Sequence, residues 1–393
     1  MTGSLPLVGA VSSVDAFQRR HPVLGFPLAV VYKYFDDQGP YLASALTYYA
    51  FVAIFPLMLL GTSILGIILR GEPNWQQSIL DSALAQFPII GDELGRPEGL
   101  SGSFTGVAVG ALAALYGAMG LGQALQNTQH VAWSVPRNSR PNPFYSRLKT
   151  LVLLVTAGFS LLAVSVVATI ASTTDVFNEV LGPGRQYFLP VLTILVVGTF
   201  LTHLFRYAAT GQRSFRRAAP GGYTLAVMWQ LLQIAGAAYV NNVLVDTSSM
   251  TKTFGLVLGL IGFLWIGAVM AVLAMEINVV AARRLWPRAL LTPFTDNVQL
   301  TDADREAYAL YARMQRHKGF EKVQVVWEPG PAERPADEYA PDTDAPGEDA
   351  LDKDALDEES RDGTPVPIEA SEQVRTGEGN HDRCGRKDHG HEG

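Results

Sequence analysis

A single cysteine, Cys384, is present among 393 residues, so no disulfide can form within the chain. Charge is scarce too: Asp, Glu, Lys and Arg together make 17% of the residues, against about 25% in soluble domains. A phosphate-cradling glycine loop, a Ser-His-Asp spacing and paired cysteine ligands are all missing, which removes the usual sequence signs of nucleotide-dependent, acyl-transfer and structural-zinc chemistry. RNA hydrolysis would need positioned acids and bases or a metal cluster beside a groove, and the polar loops offer arginines without a matching His or Asp group. His381, Cys384, His389 and His391 are of metal-binding type, but a short, hydrophilic, terminal stretch gives a metal no scaffold to fold around it. The reading is of a protein that is not an enzyme, with no cofactor, no designed metal site and no nucleic-acid partner.

What the chain does have is apolar residues, 48% of the total. Its charges are unevenly placed: residues 328–393 hold 20 acids and 7 bases, leaving 17 acids and 23 bases in residues 1–327. The body is slightly basic and apolar, while the tail is acidic, proline-rich and too poor in apolar surface to fold, so a disordered acidic extension is expected there. A bilayer core of about 30 Å needs roughly 20 apolar residues as a helix. Six such runs appear, at 42–69, 103–126, 148–174, 186–206, 220–243 and 253–282. The fold expected is all-α and polytopic, its first run acting as an uncleaved signal because no small-residue cleavage site follows it. The domain division is a segment 1–41 with an amphipathic helix, a six-helix membrane domain 42–290, a juxtamembrane helix and short extended piece 291–327, and the tail 328–393.

Orientation follows from the flanking bases. Fourteen, Lys33, Arg283 and Arg288 among them, fall on one side of the runs, and four, Arg70, Arg96, Arg185 and Lys252, on the other. Both termini are therefore expected in the cytoplasm. On the outer side, residues 71–99 place Trp75, Ile79, Leu80, Leu84 and Phe87 at helical spacing, which suits either a helix on the outer leaflet or one packed on the bundle. In the second run Gly102, Gly106, Gly110, Ala114, Ala118 and Gly122 recur every four residues. Such a stripe lets another backbone approach in lipid, where van der Waals packing replaces the hydrophobic effect. The expectation is that this helix lies at the bundle centre, its partner either within the chain or in a second copy.

Polar residues inside the runs then need an account. At about 1.5 Å per residue, Tyr48, Tyr49, Gln123, Gln126, Asn127, Gln230 and Glu276 all fall in the cytoplasmic half. They read as a shared polar layer, with Pro56 loosening the first helix just above it. The blander account makes the tyrosines part of an aromatic belt and pairs Glu276 with Arg283 or Arg206. Beyond the runs, Thr301 with Asp304 fits a capping-box start to a soluble helix carrying Tyr308, Tyr311 and Met314 on one stripe.

Four stretches, "LASALTYYAFVAIFPLMLLGTSILG", "GQALQNTQHVAW", "RSFRRAAPGGYTLAVMWQLLQIAGAAYV" and "FGLVLGLIGFLWIGAVMAVLAMEINVVAARR", resemble in order and spacing the YihY/BrkB family of six-helix bacterial inner-membrane proteins. The resemblance spans about residues 25 to 290. It matches family positions at Tyr48, Tyr49, Phe55 and Pro56, at Asn127, at Pro220 and Gly221, and at Glu276 and Asn278. Phe254 departs from the family's usual Tyr, and "AMEINV" stands for a more usual "GAELNA". The resemblance implies a multi-pass protein of the bacterial cytoplasmic membrane. It also implies a transporter, an exporter or a lipid-handling permease, its substrate a small molecule or lipid entering the polar layer; the ribonuclease label some members carry fits no residues here. The alternative is a non-transporting membrane scaffold that docks other proteins through its loops and tail.

Overall fold

The computed structural model describes residues 14–68, 104–156, 185–210, 214–244, 249–290, 292 and 298–328. The outer segment 71–99, the end of the third run, Gly102 and the acidic tail with its histidines lie outside the described residues. Among those described there is no strand. After a helical turn at residues 14–20 come α1 (Pro22–Asp36), α2 (Gly39–Ile68) and α3 (Phe104–Ala132). Helical residues 143–156 form α4. They are followed by α5 (Arg185–Ala208), α6 (Phe215–Tyr239), α7 (Ser249–Arg283) and α8 (Asp302–Met314).

Three of the described helices contain stretches long and apolar enough to cross a membrane, Pro190–Ala208, Phe215–Asn242 and Phe254–Arg283. Each overlaps a run expected from the sequence. The fifth run differs at its start: α6 begins at Phe215, so Pro220 stands inside the helix instead of opening it. A π-helical turn, Val240–Leu244, closes it.

Among the described residues the central helix is α7, where the sequence led us to expect the glycine-striped second helix. α7 packs against α6, α2, α1 and α3, whereas α3 lies mainly along α2. The reason is visible in its C-terminal half, where Val272, Ala274, Met275, Glu276, Asn278, Val279 and Val280 are all buried. A helix buried all round must be surrounded by other helices.

Three helices end at one end of the molecule with a non-glycine residue at positive φ: Gln38 after α1, Ser134 after α3 and Arg284 after α7. Left-handed backbone lets the chain turn while the last carbonyls still find donors. Thus Val135 N–H donates to His130 O at 2.8 Å, Leu285 N–H to Val280 O at 3.2 Å, and Asp37 N–H to Lys33 O at 3.0 Å. These turns put Asp37, Trp133 and the chain after Arg283 into one small volume. There α8 joins them, its start fixed by the expected capping box: Thr301 accepts from Asp304 N–H while the Asp304 carboxylate accepts from Thr301 N–H at 2.9 Å.

Candidate functional site: a buried ion cluster beside a polar cavity

Lys33 sits on the inner face of α1 and is wholly buried. Its ammonium bonds the Asp37 carboxylate one turn later, donates to Ala132 O at the end of α3 at 3.1 Å, and lies 3.6 Å from Glu276 Oε2 on α7. The Tyr311 ring, brought by α8, stacks beneath it at 5.0 Å. Four elements therefore converge on one lysine. Isolated buried charge costs several kcal/mol, and only paired, hydrogen-bonded groups recover it.

The pairing is incomplete on the acid side. Asp37 Oδ1, Glu276 Oε1 and Oε2 and Tyr311 Oη are buried without a hydrogen bond, and the Asp37 and Glu276 carboxyl groups lie against each other. Burial holds Asp37 above the ordinary carboxylate range, with the Lys33 charge pulling the other way. Burial also raises the Tyr311 hydroxyl, with Asp37 adding to the shift.

A second ionic knot lies alongside. Arg288, also wholly buried, bonds Asp304 of α8 through Nε and Asp36 of α1 through Nη2 at 3.0 Å. Its guanidinium stacks on Tyr308 at 5.5 Å. Asp304 also accepts from Ala289 N–H at 3.0 Å. One carboxylate thereby caps α8 and ties it to the segment leaving α7. Burial alone would lower the Arg288 pKa, but the carboxylates of Asp304 and Asp36 outweigh it and raise it.

Beside both knots is a cavity of about 590 Å³, within the size range of ligand pockets. Asp36, Asp37 and Tyr311 line one wall, and Asn127, Arg137 and Arg140 another. Arg140 Nη1 donates to Asn127 Oδ1 at 3.3 Å. Asp37 and Tyr311 thus stand both in the cavity wall and against the buried cluster. Glu276 is the next group inward.

The expected polar layer is only partly assembled. Asn127 lines the cavity, and Glu276 lies behind its wall. Tyr48 and Gln123 are exposed and do not join them. Tyr49, one residue and about 100° further round α2, turns inward and covers Gly120 of α3. Gln126 is buried, but its amide bonds Thr150 Oγ1 at 2.7 Å and Ser146 O at 3.1 Å, tying α3 to α4. Gln230 is half-buried on α6. Pro56 lies within α2, and its side chain falls outside the described residues. Asn278 faces away from the cluster, since two residues along a helix turn about 200°. Its Oδ1 accepts from Gly221 N–H at 2.7 Å.

Glu276 finds its partner in Lys33, not in Arg283 or Arg206. Arg283 donates to Trp133 O at 2.7 Å, and Arg206 is exposed. Of the glycine stripe, Ala118 and Gly122 are buried, Gly122 against Thr150. Among the described glycines of α3 the closest approach to another backbone involves Gly117, off the stripe, where a Cβ would stand 2.9 Å from the Ala53 backbone. Gly106, Gly110 and Ala114 belong to α3, and their side chains lie outside the described residues.

Lys33, Asp37, Arg288 and Tyr311 were not legible as site residues. Both bases counted as topology signals, Asp37 fell in the segment 1–41 ahead of the first run, and Tyr311 belonged to a separate soluble helix. The one usable sign was Glu276, an acid in an apolar run that requires a partner.

A family model described as Virulence factor BrkB matches residues 30–294. No curated protein and no solved structure matches the chain.

Proposed function

Since the chain belongs to the BrkB family of membrane proteins, we propose that it is a multi-pass permease of the bacterial cytoplasmic membrane. In this reading it has six spans and cytoplasmic termini, and a small molecule or lipid headgroup enters through the cavity walled by Asp37, Asn127 and Tyr311. It assigns the chain no catalytic step. The observation that carries it is Glu276, a wholly buried acid on a helix apolar enough to cross a bilayer. Such residues usually face a pathway or a partner, and this one stands just behind the wall of a polar cavity. A dry structural bundle gains nothing from it, because replacing a buried ion pair by packed apolar groups is often neutral or stabilising.

Thiol labelling tests the pathway. With Cys384 replaced, single cysteines at Gln38, Asn127 and Met314 should react with a membrane-impermeant maleimide added from the cytoplasmic side and not from outside. Protection of all three from either side, with an exposed control at Lys318 reacting, would reject an open cavity. A scaffold would then become the better reading, with α8 and the exposed Phe320 and Val326 as its docking elements.

A further inference from the structure

We infer that the Lys33, Asp37 and Glu276 cluster is a proton-binding site, the proton lying between the two carboxyl groups and exchanging with the cavity past Asp37 and Tyr311. The argument starts from charge. One ammonium and two carboxylates meet with essentially no exposure, leaving one negative charge uncompensated where water cannot screen it. The neighbours on every packed element are already committed. On α1, Asp36 is held by Arg288. In the segment after α7, Arg288 is shared between Asp36 and Asp304. At the end of α7, Arg283 donates to Trp133 O and lies in the field of Glu306 of α8 first and of Asp37 second, so its charge is shared and not devoted to the cluster. On α3, the Ala132 carbonyl faces Lys33, while His130 is bonded to Thr210.

Geometry gives the second, independent reason. Asp37 Oδ1 and both Glu276 oxygens have no hydrogen-bond donor, although the two carboxyl groups are in contact. The one ammonium of Lys33 balances only one of two carboxylates in contact, and like charges that close are relieved when one carboxyl keeps a proton, as in carboxyl pairs that share one. A metal ion suits the place poorly, because hard cations take six to eight oxygen ligands and the Lys33 ammonium would repel them. A proton needs just the two oxygens present. Its use to couple transport rests on the permease reading; the site itself does not.

The test uses full-length protein in lipid nanodiscs, followed by infrared difference spectroscopy across pH. Wild type should show a protonated-carboxyl band persisting at neutral pH. Both Glu276→Gln and Asp37→Asn should lose it, and Glu306→Gln, which removes an exposed acid, should keep it. No such band in wild type, a band surviving in both cluster variants, or one erased by sodium or potassium at fixed pH would overturn the proposal. If the variants do not fold, wild-type unfolding still decides. The folded state then holds a proton that the unfolded chain has released, so above pH 7 the folded-to-unfolded ratio should fall by up to about tenfold per pH unit; a ratio unchanged by pH there overturns the inference. A band without a labelled cavity would sink the permease and leave the proton site, and the converse would do the opposite.

Discussion

Glu276 and Asn278 stand two residues apart on α7 and meet opposite surroundings. Glu276 enters a cluster whose members come from α1, α3 and α8 and whose charges do not balance. Asn278 enters a seam in which backbone meets backbone. There Pro220, inside α6, supplies no N–H, and Asn278 satisfies the neighbouring Gly221 N–H. A Cβ on Gly221 would stand 1.9 Å from Ala274 O. The seam is neutral and hydrogen-bonded; the cluster is charged and incompletely bonded. Electrostatic cost is tolerated on one face of the helix while the other supplies close packing, and that asymmetry is what the proposed proton site rests on.

Breaking the charged face should have the largest effect. Lys33→Met leaves two buried carboxyl groups without their cation, and removing one partner of a buried pair costs about 3–5 kcal/mol. Unfolding in detergent, or the yield of folded protein, should register the loss. Adding Glu276→Gln should restore much of it, because a neutral amide replaces one of the two carboxyl groups left facing each other without their cation. If the double variant is no more stable than Lys33→Met, Glu276 is not coupled to Lys33.

Breaking the neutral face should cost less. Gly221→Ala drives a methyl group into the Ala274 carbonyl, and overpacking of this kind costs about 1–3 kcal/mol. Its stability should run parallel to wild type at every pH, since no charge is touched. A Gly221→Ala profile that diverges from wild type with pH would mean that the two faces are not independent.

The smallest effect concerns His130, beyond the apolar stretch of α3. Burial, with Arg140 and Lys149 nearby, holds its pKa down at about 4. A lowered histidine binds its proton in the unfolded chain first, so its contribution is lost as pH falls from about 6.5 towards 4, roughly 1 kcal/mol by pH 6. This is opposite in sign to the contribution of the carboxyl cluster, which is lost as pH rises from the ordinary carboxyl pKa of about 4 through the pH at which the cluster releases its proton. The stability difference between His130→Gln and wild type should move in the variant's favour by roughly 1 kcal/mol between pH 7 and 6 and stay constant above pH 7. A difference that does not change between pH 7 and 6 would place the origin of the acid loss elsewhere.

How much of this was legible follows from the kind of signal each residue carries. The helices over 39–68, 104–132, 185–208 and 249–283 follow directly from uninterrupted apolar runs, and the start of α8 from Thr301 with Asp304. Glu276 was legible because an acid in an apolar run is costly wherever it lands. Tyr48 and Tyr49 were misgrouped, because adjacency in sequence is 100° of separation on a helix and depth alone does not say which way a side chain faces. Lys33 was misassigned because a base beside an apolar run satisfies the topology rule whether it is solvated or buried.

The amino-acid sequence by itself determined an all-helical, apolar, family-typical membrane body, an acidic tail of different composition, and one acid that needed an explanation. Those properties depend on local composition and period, which are present in the chain before it folds. Only the tertiary structure decided that α7 is central, that Glu276 meets Lys33 and Asp37 instead of Arg283, and that Tyr311 reaches the cluster from a helix 35 residues further on. Those contacts depend on where Gln38, Ser134 and Arg284 turn the chain, and a turn's direction fixes distant neighbours without leaving a periodic trace in the sequence.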